Sequence, residues 1–304
     1  MSHAQTFESP AKRTLLLVDG HAYAYRAFFA IRQMSGPDGS PTNGIYGFIK
    51  MLQRMITFVQ PSHVAVIWDG GLATERVSLL PGYKAERPAT PEDLGRQIED
   101  MRDFLAAAGF ASAVIPGIEA DDLIATLALE AERSGHPVVI ASSDKDFMQL
   151  VSTNIGLLNP GDKEQRIWGV AEVFEKTGVQ PHQIVEWLSL IGDAVDNIPG
   201  VAGVGHKTAT ELLQQYGSVD GILSHAHEVT GPKRRDALLA SKELLERNRQ
   251  LIQLHTGLVS PIVLDECVPQ PQDSSALAAL YARWGFKTLL SELTSPPMSQ
   301  PVLL

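Results

Sequence analysis

Three short runs, "TLLLVDG", "VAVIWDG" and "VVIASSDKD", each carry four or five consecutive apolar residues up to an aspartate. Runs this short, this apolar and this rich in β-branched residues are strands buried on both faces. Between them the period changes. Around "YGFIKMLQRMITFV", Ile45, Phe48, Ile49, Leu52, Ile56 and Val59 recur at helical spacing. "PEDLGRQIEDMRDFLAAAG" opens on Pro91 with acids in its first turn and ends at Gly109, the marks of a second helix. A short strand, "SAVI", precedes a third helix that begins near Glu119. This alternation predicts an α/β fold, a mostly parallel central sheet flanked by helices with right-handed crossovers.

The α/β pattern spans residues 13–180, after a polar leader at 1–12. From 181 to 292 short helices replace it ("HQIVEWLSLIG", "HKTATELLQQYG", "KRRDALLASKELLERNRQLIQL", "SSALAALYARWG"), predicting an all-helical second domain. Residues 293–304 read as a tail or linker. Segment 70–91, "GGLATERVSLLPGYKAERPATP", has weak periodicity, three prolines and three basic residues. Irregular segments of that length inside a domain are usually functional or disordered, and this one projects over the strand-end edge of the sheet.

Each central strand delivers acids to that edge: Asp19, Asp69, then Asp144 and Asp146. Ligands of open α/β sheets bind at the carboxyl ends of the strands. "PGIEADDLIATLALEAE" adds Glu119, Asp121 and Asp122 at a helix head, and "IGDAVDNIPG" adds Asp193 and Asp196. Like charges a few ångströms apart raise one another's pKa, so such a cluster calls for cations. Few histidines accompany these acids and the single cysteine, Cys267, lies far away in sequence. That donor set disfavours zinc and suits Mg²⁺ or Mn²⁺, and a pair of such ions is the usual apparatus of phosphodiester displacement. A strand followed by Asp-Gly also opens haloacid-dehalogenase-like phosphatases, but the second acid they need two residues on is here His21.

The net charge of −10 argues against a nucleic-acid partner unless those carboxylates converge on ions. "NIPGVAGVGHKTATELL" offers a route around the charge. Gly200, Gly203 and Gly205 precede a helix whose N-terminus, with Lys207 and Thr208, forms a phosphate site. A helix–hairpin–helix of this kind grips a duplex backbone without reading bases. Tyr83, Lys84 and Arg87 in "GYKAER" suit a single strand, by stacking and phosphate attraction. Arg26, two turns beyond Asp19, is in reach of either a phosphate or a structural ion pair. The lone cysteine excludes an intramolecular disulfide and fits a reducing compartment. The N-terminus lacks the apolar core of a signal peptide, and no run is long enough to span a membrane. A cytoplasmic, monomeric protein is expected.

In order and spacing, "LLLVDGHAYAYRAF", "VIWDG", "GYKAER", "PGIEADDLIATLA", "SSDKDFMQLV" and "IGDAVDNIPGVAGVGHKTATELL" resemble the 5′-nuclease domain of bacterial DNA polymerase I, within the flap endonuclease family. The resemblance implies a PIN-like 5′-nuclease fold. It also implies cleavage near the junction of branched, flapped or nicked DNA with a free 5′ end, or of RNA in RNA–DNA hybrids. By the same resemblance Asp19, Asp69, Glu119, Asp121 and Asp122 would serve a first metal site. Asp144, Asp146, Asp193 and Asp196 would serve a second. Segment 70–91 would be the arch through which the 5′ strand passes, with Lys84 and Arg87 at the scissile phosphate. The hairpin would grip the duplex and hold K⁺, and a polymerase would be the partner, in cis or in trans. Two departures stand out. Glu75, Arg76 and Val77 replace a frequent Phe-Arg-His, putting an extra acid in the arch that would weaken 5′-strand capture, and Met148 replaces a common tyrosine. A reading of another class, a DNA-structure-binding module with vestigial chemistry, would have lost acids; all nine are present.

Overall fold

The structure, a computed structural model, describes residues 13–160 and 166–294. The expected leader lies outside them, as does the expected tail beyond its first two residues. The α/β part runs β1 (Leu15–Asp19), α1 (Gly20–Ala30), α2 (Asn43–Val59), β2 (His63–Trp68), α3 (Thr74–Leu79), α4 (Glu92–Ala107), β3 (Ala111–Val114), α5 (Ala120–Arg133) and β4 (Val138–Ala141). It is completed by β5 (Ile155–Leu158), β6 (Ile167–Trp168) and α6 (Val170–Thr177). The sheet order is β3-β2-β1-β4-β5-β6. Its first five strands are mutually parallel and β6 is antiparallel. The predicted strands are present within a residue or two of their expected ends. β5 and β6 escaped the sequence reading, because "IGLL" carries a glycine and little β-branching and "IW" is only two residues long.

Because both faces are covered, alternate residues of β1 enter different cores. Leu15 and Leu17 join Ala65, Ile67 and the inner face of α5 (Leu123, Ile124, Ala128). Leu16 and Val18 join Val64, Val66 and the apolar faces of α1, α2 and α4. Register sets Asp19 opposite Ile67, so β1 ends in its acid two residues before the chain leaving β2 reaches Asp69. The glycine after each aspartate is a packing requirement. A Cβ on Gly20 would stand 2.6 Å from the Trp68 ring, and one on Gly70 would stand 1.8 Å from the Ile115 carbonyl oxygen. Both acids are thereby held on short, tightly packed backbone.

The helical part comprises α7 (Ile184–Ile191), α8 (His206–Tyr216), α9 (Val219–Ser224), α10 (Pro232–Ala240) and α11 (Lys242–Ile252), followed by α12 (Ser274–Trp284) and α13 (Lys287–Thr294). Leu188, Leu212, Leu213, Leu245 and Leu251 continue the α5-side core, so α7, α8 and α11 are built onto the sheet domain. The expected boundary at 181–292 needs one correction. Helices α12 and α13 leave the helical unit and pack on the opposite face of the sheet, beside α4. The cause is the stripe Leu277, Tyr281 and Trp284, exposed by only 2%, 5% and 3%. Each such side chain contributes about 1.5–3 kcal/mol on burial. Among the described residues no helix is long and apolar enough to cross a membrane.

Candidate active site

A cleft of about 1270 Å³ opens at the carboxyl ends of the strands, lined by Asp19, Asp69, Glu119, Asp121, Asp144, Asp193 and Asp196. Arg26, Lys84, Arg87 and Lys145 share its walls. Acids from five separate segments thus meet on one rim. Asp19 caps α1: Oδ1 accepts from the Ala22 amide at 3.0 Å and Oδ2 from the Ser142 hydroxyl at 2.8 Å. Asp69 Oδ1 accepts from the Ala120 amide at 2.9 Å, at the head of α5. Asp144 Oδ1 accepts from the Asp146 amide at 2.9 Å, starting the 3₁₀ turn Lys145–Leu150. In each case a helix or turn head fixes one carboxylate oxygen.

The cleft is short of positive charge. Burial, with Asp69 and Asp144 nearby, pushes the Asp19 carboxyl up to about 6 despite its two hydrogen bonds. Burial together with Asp144 and Asp19 raises Asp121 well above the usual carboxylate range. Asp144 and Asp146 are raised as well, chiefly by burial. Asp146 does not line the cleft, and its buried Oδ1 has no hydrogen-bond partner among the described residues. Crowded, rich in carboxylate oxygen and partly unsatisfied, this donor set fits a hard divalent cation, and the imidazole that lines the cleft, His21, has its Nδ1 taken by the Asp69 amide at 3.1 Å. Among the described residues no three carboxylate, imidazole or thiol groups close around one point as a ready-made cage.

The charge crowding has a measurable consequence. Asparagine caps a helix as well as aspartate does, so Asp19→Asn removes the charge and keeps the cap. The folded-state pKa of Asp19 is raised, so its charge penalises the fold fully above about pH 6 and not at all below about pH 4. In EDTA, Asp19→Asn should therefore be the more stable protein at about pH 8, by about 2–3 kcal/mol, and lose that advantage near pH 4. Denaturant melts at the two pH values check this; equal stability at high pH would mean that burying the Asp19 charge beside Asp69 and Asp144 costs the fold nothing.

The structure gives Asp122 and Tyr83 other partners than expected, and it pairs Glu119 with cations of the chain itself. Asp122 faces away from the cleft: both its oxygens are taken by the Arg76 guanidinium, at 2.7 and 2.8 Å, and Oδ1 also accepts from the His255 amide. It is a buried counter-ion, because it lies about 100° around α5 from cleft-lining Asp121 and so points toward the end of α11. Glu119 lines the cleft but is shared by Arg76 at 2.8 Å, Lys84 at 2.8 Å and the Tyr83 hydroxyl at 3.1 Å. Tyr83, expected to stack on a strand, is only 4% exposed. Its hydroxyl is needed to satisfy buried Glu119.

Lys84 and Arg87 do reach the cleft. Lys84 adopts φ 55°, a left-handed conformation that costs a non-glycine residue about 1 kcal/mol or more. Its amide donates to the Asp196 carbonyl at 3.0 Å. Burial alone would weaken its hold on a proton, but Glu119, Asp196 and Asp121 more than offset this and raise it. Arg87 lies 2.5 Å from Asp196, and Lys145 lies 2.5 Å from Asp193. Arg26 is exposed on α1 and lines the cleft. The roles of Arg76 and Lys145 as counter-ions escaped the sequence reading. Glu119 and Asp122 on one helix head, three residues apart, were the cue that a buried cation had to come from elsewhere.

At the second expected contact, Gly192–Asp193 pairs with Ile198–Pro199, and the chain then turns through Gly203 into α8. A Cβ on Gly203 or Gly205 would meet nothing within 4 Å, so the head of α8 is open to solvent. Lys207 is 91% exposed, 3.9 Å from Glu211, and Thr208 lies beside it in the first turn of α8. None of these four residues lines the acidic cleft.

The molecule is an α/β domain with an acidic strand-end cleft, joined to a helical unit with an open helix head. Comparison with known proteins sharpens that class. A family model described as "5'-3' exonuclease, N-terminal resolvase-like domain" matches residues 14–178. A second, "5'-3' exonuclease, C-terminal SAM fold", matches 179–275. The chain belongs to the 5′-3′ exonuclease family. It is 38% identical to a 5′-3′ exonuclease of Aquifex aeolicus over 92% of this chain and 95% of that protein. It is equally identical to DNA polymerase I of Rhizobium leguminosarum over 90% of this chain but 28% of the longer relative. Among solved structures, a phage T5 D15 protein co-crystallized with metal ions shares the fold at TM-score 0.68 and 22% identity, over 93% of this chain and all of that one. The catalytic core of Rad2 in complex with DNA substrate does so at 0.62 and 14%, over 93% of each.

Proposed function

We propose that the chain is a Mg²⁺- or Mn²⁺-dependent, structure-specific 5′-nuclease that hydrolyses flapped, branched or nicked DNA near a free 5′ end. The observation that carries this reading is the single cleft in which seven carboxylates face Arg26, Lys84 and Arg87. Family membership and the 38% identity to a 5′-3′ exonuclease support it. Asp19, Asp69, Asp121 and Asp144 would hold the ions, joined by Glu119, Asp146, Asp193 and Asp196 where their side chains are free to turn. When bound, such ions supply activation of the attacking water and neutralisation of charge at the phosphate. Lys84 and Arg87 bind the scissile phosphate and orient it toward the acids. Arg26 draws the adjoining strand. The open head of α8, with Gly203, Gly205, Lys207 and Thr208, holds the duplex backbone by its free amides, and the same turn would take K⁺ through its carbonyls.

Primer or flap removal during replication and repair in the cytoplasm, including RNA in RNA–DNA hybrids, is the setting this activity suits. A polymerase is the natural partner, since several relatives carry this unit as 28–33% of a DNA polymerase I. The test is cleavage of a 5′-flap duplex in Mg²⁺, in Mn²⁺ and in EDTA. Cleavage at the junction that EDTA stops is expected. Flap binding with no cleavage in either metal would leave only a DNA-structure-binding module.

A further inference from the structure

Four side-chain cations reach the cleft acids or their immediate neighbours, and three of them come from the segment between α3 and α4 or its base. Lys84 Nζ stands 2.8 Å from Glu119 and 3.9 Å from Asp196. Arg87 stands 2.5 Å from Asp196. Arg76 stands 2.8 Å from Glu119, and Lys145 stands 2.5 Å from Asp193. Glu119, Asp193 and Asp196 are each buried to within 8% of full burial, so each requires a positive partner. The pairing is also fixed by backbone: the Lys84 amide bonds the Asp196 carbonyl at 3.0 Å, and the Asn197 side-chain amide bonds the Gly82 carbonyl at 2.9 Å.

From this geometry we infer that Lys84 and Arg87 serve as built-in counter-ions of Glu119 and Asp196, and compete there with divalent cations. The inference rests on the proposed metal-dependent function. The two kinds of cation draw on the same carboxylate oxygens, so gaining one weakens the hold of the other. By linkage the effect is reciprocal: closure of residues 82–87 lowers cation affinity, and a bound cation loosens residues 82–87 by the same factor. A DNA phosphate ends the competition. Its negative charge gives Lys84 and Arg87 a new partner, and the carboxylates pass wholly to the ions. The cleft therefore gathers cations and closes its basic wall most completely when a substrate phosphate joins both.

Mn²⁺ binding to the full chain without DNA, followed by calorimetry, tests this. Lys84→Met should bind Mn²⁺ about fivefold or more tightly than wild type, the reverse of what loss of an ordinary active-site residue would do. Glu119 keeps Arg76 and the Tyr83 hydroxyl in that variant, so the fold stands. Lys84→Arg, which retains the charge, should stay near the wild-type affinity. In wild type, Mn²⁺ should speed amide hydrogen exchange in residues 82–87. Equal or weaker Mn²⁺ binding by Lys84→Met, or exchange that Mn²⁺ leaves unchanged or slows, overturns the competition. Wild-type flap cleavage in the same Mn²⁺ buffer separates the two ideas: if cleavage is absent, the nuclease reading fails; if it is present with unaltered affinities, only the competition fails.

Discussion

Asp121→Ala is expected to lower 5′-flap cleavage in Mg²⁺ by about 10³-fold or more, while flap binding measured in Ca²⁺ stays close to wild type. Among the described residues, Asp121 is the one acid at the head of α5 without an ion-pair partner of its own. Its neighbour Asp122 is neutralised by Arg76, and Glu119 by Arg76 and Lys84. It faces Asp144, Asp19 and Asp69 across the cleft, and together with burial their charges hold its carboxyl far above the usual range. A group so placed is poorly ionised until a cation offsets its neighbours, and its removal deprives that cation of a central ligand. Several kcal/mol of transition-state charge stabilisation then disappear, which is about three orders of magnitude in rate. The DNA contacts expected of Arg26, Lys84, Arg87 and the α8 head are untouched, so binding persists. Single-turnover cleavage beside fluorescence-anisotropy binding reads the two effects separately. Near-wild-type cleavage by Asp121→Ala would remove this acid from the chemistry.

Much of this was legible in the sequence because buried parallel strands announce themselves. "LLLV", "VAVIW" and "VVIA" admit few conformations other than a doubly covered strand, and the acid after each follows the strand to the same edge. The helix after Glu119 was equally clear from its periodicity. What stayed hidden was direction. Spacing says that Glu119, Asp121 and Asp122 share a helix head, but Asp121 opens on the cleft and Asp122 turns into the seam beneath it. Nor does composition show that Tyr83 spends its hydroxyl on Glu119. Aromatic and basic residues in an irregular segment look alike whether they point at solvent or at a buried acid. The migration of α12 to the far face of the sheet was hidden too. Its apolar stripe shows that it must pack, but not on what.

Arg76 carries the second large effect, this time on stability. Its guanidinium is 2% exposed. It donates to Glu119 Oε2 at 2.8 Å, to both Asp122 oxygens and to the Leu251 carbonyl at 3.0 Å. One side chain of α3 thus ties segment 70–91 to the head of α5 and the end of α11. Removing one partner of a buried charge pair leaves the other uncompensated, at a cost of about 3–5 kcal/mol. Arg76→Ala should lose that much in urea denaturation, because Asp122 is left charged and sealed from water. Replacing both partners with apolar residues of similar size removes the orphaned charge, so Arg76→Met with Asp122→Leu should recover most of the loss. The recovered fold should still cleave poorly, since Glu119 then has only Lys84 and Tyr83 to hold it and α3 is no longer anchored to α5. If the double variant cleaves flaps at the wild-type rate, the buried ion pair serves folding alone and segment 70–91 positions Lys84 without it. If Arg76→Ala is as stable as wild type, the pair contributes nothing even to the fold.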